Sequence, residues 1–168
     1  MYTFYYLAPM DNHARFLKHL DQSSKAVFVV AHHLHRKGLD VRVNATRRAS
    51  SHKEWKKFKD DGDMFVYRGG NEYRIEVKGS RRIFTCGDDW PFDNVFICAV
   101  HSYDLAEKKP YAYFVLSGDM KHVGIVNTDT YPKWRVMRKK DRRYENVEQD
   151  FYTCPIELVK WEKIDNGS

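Results

Sequence analysis

No stretch of this sequence approaches the roughly 18 consecutive apolar residues that a membrane-spanning helix needs. Its start, Met1-Tyr2-Thr3-Phe4, lacks the basic residues that open a secretory signal, so a cytosolic protein is expected. Cysteine is scarce: Cys86, Cys98 and Cys154 are odd in number, widely spaced and never in a CxxC pair. That argues against a disulfide framework and a zinc ribbon and predicts reduced thiols. A Gly-rich Lys-Ser/Thr loop is missing, so nothing points to nucleotide-driven chemistry. Internal repeats and low-complexity linkers are missing too. Acids are outnumbered by Lys and Arg, 23 to 29, and the resulting charge of +6 favours a polyanionic partner.

Apolar residues make up 42% and aromatics 15% of 168 residues, enough to bury a core in one domain. Met1 to Met10 is aromatic-rich and reads as an edge strand or packed arm. Asp11 is placed to cap a short helix with Ala14, Leu17 and Leu20 on its apolar side. Ser23 or Ser24 is then expected to cap a second helix, Lys25 to Lys37. Its buried stripe is Val27, Val30, Ala31 and Leu34, and Gly38 stops it. His32, His33 and His35, without an acidic or cysteine partner, read as a solvated or DNA-facing helix end. Strands are expected at 39–43, 63–68, 73–78, 95–100, 111–116 and 123–126. Residues 83–85 continue or restart the third of these. The segment between 44 and 61 is polar and basic, with a short helix expected near Lys53 to Phe58. A basic tail follows Thr128, and the apolar residues Ile156, Leu158, Val159 and Trp161 are read as core or as a dimer interface.

The chemistry concentrates between Gly62 and Gly79. Two strands are joined there by a tight Gly69-Gly70-Asn71 turn. Period-two geometry places Tyr73, Ile75 and Val77 on one face of the second strand and Arg74, Glu76 and Lys78 on the other. Asp63, at the mouth of the first strand, delivers a second carboxylate; it is preferred to Asp60 and Asp61 because it alone abuts the apolar run Met64-Phe65-Val66. Hydrolysing a phosphodiester needs an activated water and positive charge near the departing oxyanion. A hard cation such as Mg²⁺, with Mn²⁺ as substitute, meets both needs when held by one or two carboxylates. A neighbouring lysine orients or deprotonates the water. Asp63, Glu76 and Lys78 supply this set, and the backbone carbonyl of Val77 is expected to reach the metal as well.

Asp63, thirteen positions before Glu76-Val77-Lys78 on an apolar strand, resembles the PD-(D/E)xK nuclease superfamily, which includes restriction endonucleases, Holliday-junction resolvases and many phage nucleases. The resemblance spans about residues 23–126, with 128–168 as a basic C-terminal extension. It implies an α/β fold: a restriction-endonuclease-like αβββαβ core with a mixed central β-sheet flanked by helices. It also implies that Asp63 and Glu76 bind the metal and that Lys78 assists the water. The activity implied is that of a Mg²⁺-dependent DNA endonuclease, cytoplasmic, or in the host cytoplasm if the source is viral. Two departures stand out. Gly62 replaces the proline-like residue before the first acid. The first core helix has no glutamate where resolvases carry one, and the nearest acid, Asp21, lies about one turn early. The subclass is therefore open.

Between Lys133 and Tyr144 seven cations stand against one acid, with Trp134 and Tyr144 near the ends. Arg138, Lys139, Lys140, Arg142 and Arg143 of this run are expected to hold DNA phosphates, with the aromatics stacking on exposed bases. Arg47, Arg48, Lys56 and Lys57, with Lys53, precede the first acid, and Arg81 and Arg82 follow Lys78; both groups are placed to flank a scissile strand. Trp90 before a proline reads as a packing plug, and Asp93 and His101 are not assigned to the site. The rival readings are a nucleic-acid-binding protein that keeps the fold without turnover, and an RNA-directed nuclease. Cutting both strands of a duplex would call for a homodimer.

Overall fold

In the computed structural model, residues 12–44, 62–141 and 147–165 are described, with the side chains of 12–22 left aside. Asn12–Arg36 forms one continuous helix, α1. The break expected at Ser23-Ser24 does not occur. No glycine or proline interrupts the chain between Asn12 and Gly38, and serine inside a helix costs only about half a kcal/mol relative to alanine. The end falls where expected. Gly38 takes φ +84°, Gly38 N–H bonds the His35 carbonyl at 2.9 Å and Leu39 N–H bonds the Leu34 carbonyl at 3.2 Å. These are the paired bonds of a glycine-terminated helix.

Four strands follow in quick order around the site: β1 (Asp40–Val43), β2 (Met64–Arg68), β3 (Asn71–Gly79) and β4 (Asn94–Ala99). The β2–β3 hairpin turns on Gly69 and Gly70, both at positive φ, while Asn71 already pairs with Arg68. Two positive-φ residues give the turn whose twist matches antiparallel strands. A short helix α2 (Val100–Asp104) leads to β5 (Ala112–Leu116) and β6 (His122–Asn127). The basic run beyond Thr128 is not a free tail. It forms β7 (Arg135–Lys140), then β8 (Glu148–Pro155) and β9 (Lys160–Lys163). Residues 83–85 form no strand.

Six strands make a mixed central sheet in the order β1-β2-β3-β5-β6-β9, in which only the β3–β5 pair is parallel. Against one face lies α1, burying Ala26, Val27, Val30, Ala31 and Leu34 on Met64, Val66, Ile75, Val77 and Phe114. Of the flanking helices expected, α1 is the long one, and the short α2 buries Tyr103 in the cluster on the opposite face. The other face is covered by an antiparallel sheet, β4-β8-β7, whose Val95, Cys98, Tyr152 and Cys154 meet Tyr113, Val115 and Val126. The run at 95–100 is thus a buried strand as expected, but it belongs to this second sheet. Its apolar residues face β5 and β6 of the central sheet, and its ladder neighbour is β8 from the C-terminal region. The Ile156–Trp161 patch is core rather than interface: Val159 is buried, and Leu158 and Trp161 pack on the same cluster. Trp90 is a plug, with its ring 5.2 Å from Phe84 and its indole N–H donating to the Asn94 carbonyl at 3.1 Å.

His33 overturns the reading of a solvated histidine cluster. His32 and His35 are exposed, but His33 is buried, 3% exposed, beneath the C-terminal strand. Its Nδ1 accepts the Asp165 N–H at 3.0 Å, so Nε2 carries the proton and donates to Glu162 at 3.3 Å. The ring lies at the last turn of α1, where β9 crosses, and the sequence around it holds no sign of that distant strand. Among the described residues, no helix is long and apolar enough to cross a membrane.

Candidate functional site

The alternation on β3 is as expected. Ile75 and Val77 are buried against α1, so Arg74, Glu76 and Lys78 point to the opposite face. Pairing of β2 with β3 ends at Met64 opposite Ile75. One step further, Asp63 comes opposite Glu76, and opposed residues share a face with Cβ atoms about 5 Å apart. Two observations place the carboxylates in the same neighbourhood. Asp63 Oδ2 accepts the Val77 N–H at 2.6 Å, the amide directly after Glu76. Glu76 Oε1 lies 2.9 Å from where a Cβ on Gly62 would stand, and Gly62 directly precedes Asp63. In an extended strand a residue's N–H and C=O point to the same side. Val77, whose N–H meets Asp63, therefore turns its carbonyl toward Asp63 as well.

Asn44 fixes the approach to this corner. Its N–H bonds the Asp63 carbonyl at 3.0 Å, and its side-chain amide donates to the Gly62 carbonyl at 2.9 Å. Gly62 itself sits at φ +85°, the left-handed region that favours glycine.

Sequence reasoning passed over Arg74 in this site. Its guanidinium donates to Glu76 Oε1 twice, from Nε at 2.9 Å and Nη2 at 2.6 Å, and from Nη1 to the Lys108 carbonyl at 3.1 Å. Both partners are buried, Arg74 8% and Glu76 6% exposed. The signal was present, since Arg74 is on the same strand face two residues ahead of Glu76. Lys78 is half-buried, and among the described residues it forms no hydrogen bond or ion pair. Beside Glu76 and Lys78 stands Cys98 of β4. Burial pushes the Cys98 thiol up, against a hydrogen bond with Tyr113 and the charge of Lys78, while Glu76 and Asp104 reinforce the rise. Tyr113 is the ladder neighbour of Glu76, and its phenol is likewise pushed up by burial, so it stays neutral.

Among the described residues, no group of three or more His, Cys, Asp or Glu is gathered as a metal cage. What the corner offers is two carboxylates and a carbonyl, all hard oxygen donors. That set fits Mg²⁺, which takes one or two carboxylates and keeps several waters. Asp21 lies on α1, but its side chain is outside the described residues.

The expected DNA-binding residues divide. Arg47, Arg48, Lys53, Lys56, Lys57, Arg142, Arg143 and Tyr144 lie outside the described residues, as do Met1–Met10, Asp11, Asp60 and Asp61. Arg81 and Arg82 are exposed just past Lys78, and Arg138, Lys139 and Lys140 are exposed on β7. Trp134 is not available to stack on bases. It packs among Tyr103, Tyr131 and Tyr152 with centroids 5.4 to 5.9 Å away, and its indole N–H donates to Thr130. Compared with protein-family models, curated proteins and solved structures, the chain matches none of them.

Proposed function

We propose that this protein is a metal-dependent DNA endonuclease of the PD-(D/E)xK kind, with Asp63, Glu76 and Lys78 as its reactive residues. The observation that carries this reading is the corner itself: Asp63 Oδ2 accepts the Val77 N–H, the amide next to Glu76, and Glu76 Oε1 lies beside Gly62, the residue before Asp63, with Lys78 on the Glu76 face. The order of elements supports it. With β4 set aside as an insertion, α1, β1, β2, β3, α2 and β5 run in the αβββαβ sequence, and β5 lies parallel to β3.

Asp63, Glu76 and the Val77 carbonyl would hold Mg²⁺. When bound, the cation supplies positive charge to the phosphate and makes an attacking water more acidic. The chain's own residues do the rest. Lys78 brings a flexible ammonium to the edge of the site, where it orients the water or neutralises charge growing on the leaving oxygen. The Asp63–Val77 hydrogen bond fixes one carboxylate on the strand backbone, so no side-chain entropy is lost on binding there. Arg74 holds Glu76 in place and competes with the cation for Oε1, so the pair sets the metal concentration at which the site loads.

The test is incubation of supercoiled, linear, single-stranded and branched DNA with Mg²⁺ or Mn²⁺. Cleavage is expected from the native chain and not from Glu76→Ala or Lys78→Ala. Equal cleavage by the variants, or none under either metal, defeats the reading. A non-catalytic DNA-binding protein is the second reading. It is favoured by one observation: the buried Arg74–Glu76 pair is electrically complete without a metal. Salt-sensitive DNA retention with no cleavage would identify it.

A further inference from the structure

Resting on the nuclease reading, we infer that the outer face of the β4-β8-β7 sheet is a platform that binds single-stranded DNA through base stacking. The inner face of this sheet is buried by Val95, Cys98, Tyr152 and Cys154. By alternation Phe96 and Phe151 point outward, and their rings meet edge to face at 5.8 Å. Met137, opposite Phe151 in the ladder, and Lys139, two residues on, share that face. Lys139 Nζ stands 4.6 Å from the Phe96 centroid and 6.0 Å from that of Phe92. Phe92 is 47% exposed. The Arg82 guanidinium stands 4.8 Å from the same centroid.

The charges on this face are unbalanced in a way that names the occupant. Among the described residues Arg82, Arg135 and Lys139 form no ion pair. The carboxylates of β8 serve the alternate β7 position, where Arg138 pairs with Asp150 at 3.2 Å and Glu148 at 3.9 Å. Cations resting on aromatic rings, with no acid against them, suit a phosphate backbone. An exposed ring, Phe92, with the half-buried Phe96 and Phe151 beside it, suits bases that are not already stacked in a duplex. The acids adjacent in sequence to the platform rings are Asp93, beside Phe92, and Asp150, beside Phe151, and Asp150 is paired with Arg138. The platform also joins the reactive corner, because Arg82 lies only four residues past Lys78. A strand leaving the corner along Arg81 and Arg82 reaches Phe92 first. The substrate class is therefore DNA with an unpaired arm.

The experiment measures fluorescence anisotropy of labelled oligothymidine and of a duplex of equal length, with the full chain in EDTA so that nothing is cut. Oligothymidine is expected to bind more tightly than duplex. Phe92→Ala should weaken that binding about tenfold while moving duplex affinity less than about twofold, and Phe92→Trp should restore it. Lys139→Ala should lower the slope of log K against log salt by about one. Equal affinity for the two DNAs overturns the inference. So does a Phe92→Ala change that is nil or the same for both, or displacement of oligothymidine by polyglutamate at matched charge. Because binding is read without metal, the two readings fail separately. Stacking without cleavage under Mg²⁺ defeats only the nuclease, and plasmid cleavage without oligothymidine binding defeats only the platform.

Discussion

Gly62 stands where the nuclease pattern would have a proline, and its surroundings explain the substitution. A Cβ there would lie 2.6 Å from Arg74 Nε and 2.9 Å from Glu76 Oε1. A side chain would both strain the backbone and push apart the buried pair. Gly62→Ala is therefore expected to cost about 1–3 kcal/mol, read as a fall in the urea midpoint. The same pair separates structural from reactive roles. Glu76→Ala removes the carboxylate from a buried guanidinium, and losing one partner of a buried ion pair costs about 3–5 kcal/mol. Lys78 has no such partner, so Lys78→Ala should leave stability within about 0.5 kcal/mol while removing cleavage. A Lys78→Ala protein that melts far below the native one would show that this lysine supports the fold instead. The shared strand face of Glu76 and Lys78 was legible from alternation. Arg74's hold on Glu76 was visible only as a shared strand face, because a two-residue separation does not say which way a long side chain bends.

At the scale of elements, α1 is fastened to β9 by one carboxylate. Glu162 accepts from Lys37 at 2.6 Å and from His33, and Lys160 pairs with its other oxygen at 2.7 Å. Burial works to raise the Glu162 pKa, but the hydrogen bonds from Lys160, Lys37 and His33 outweigh it and hold the carboxyl at about 2. A group whose folded pKa lies below its unfolded value stabilises the fold above the unfolded pKa. That contribution is lost as pH falls toward the folded one. The clasp should thus contribute fully above about pH 4.5 and fade between there and about pH 2, a loss on the order of 2 kcal/mol. Glu162→Gln should lower stability at pH 7 by a similar amount and flatten the acid limb, measured by urea unfolding across that range. An unchanged acid limb in Glu162→Gln would assign acid sensitivity elsewhere. The later half of the helix and its Gly38 stop were legible, because apolar spacing and a glycine are local signals, whereas the serines at 23 and 24 suggested a break that the continuous helix does not have. The clasp was hidden, since His33 and Glu162 are 129 residues apart and meet only through the sheet.

Across the whole molecule, the legible half was the helix and hairpin, where strand alternation, turn glycines and helix periodicity agree. The second sheet was not legible. All six residues of β7 are exposed, so its cations read as a charged tail, and β8 pairs with β4 across some fifty residues of chain. The C-terminal quarter nevertheless completes both cores. Tyr152, Cys154 and Val159 cover Tyr113, Val115 and Val126 on one side of the central sheet, while Ile164 joins the α1 cluster on the other. Burying an apolar side chain of this size is worth about 1.5–3 kcal/mol. Losing four, together with the pairing of β9 to β6, removes about as much as the 5–15 kcal/mol by which a domain is stable at all. A chain ending at Asn127 would keep Asp63, Glu76 and Lys78 yet should show no cooperative urea transition and no near-ultraviolet dichroism from packed aromatics. Fixed packing in that truncated chain would falsify the two-layer account and return residues 128–168 to the status of an appendage.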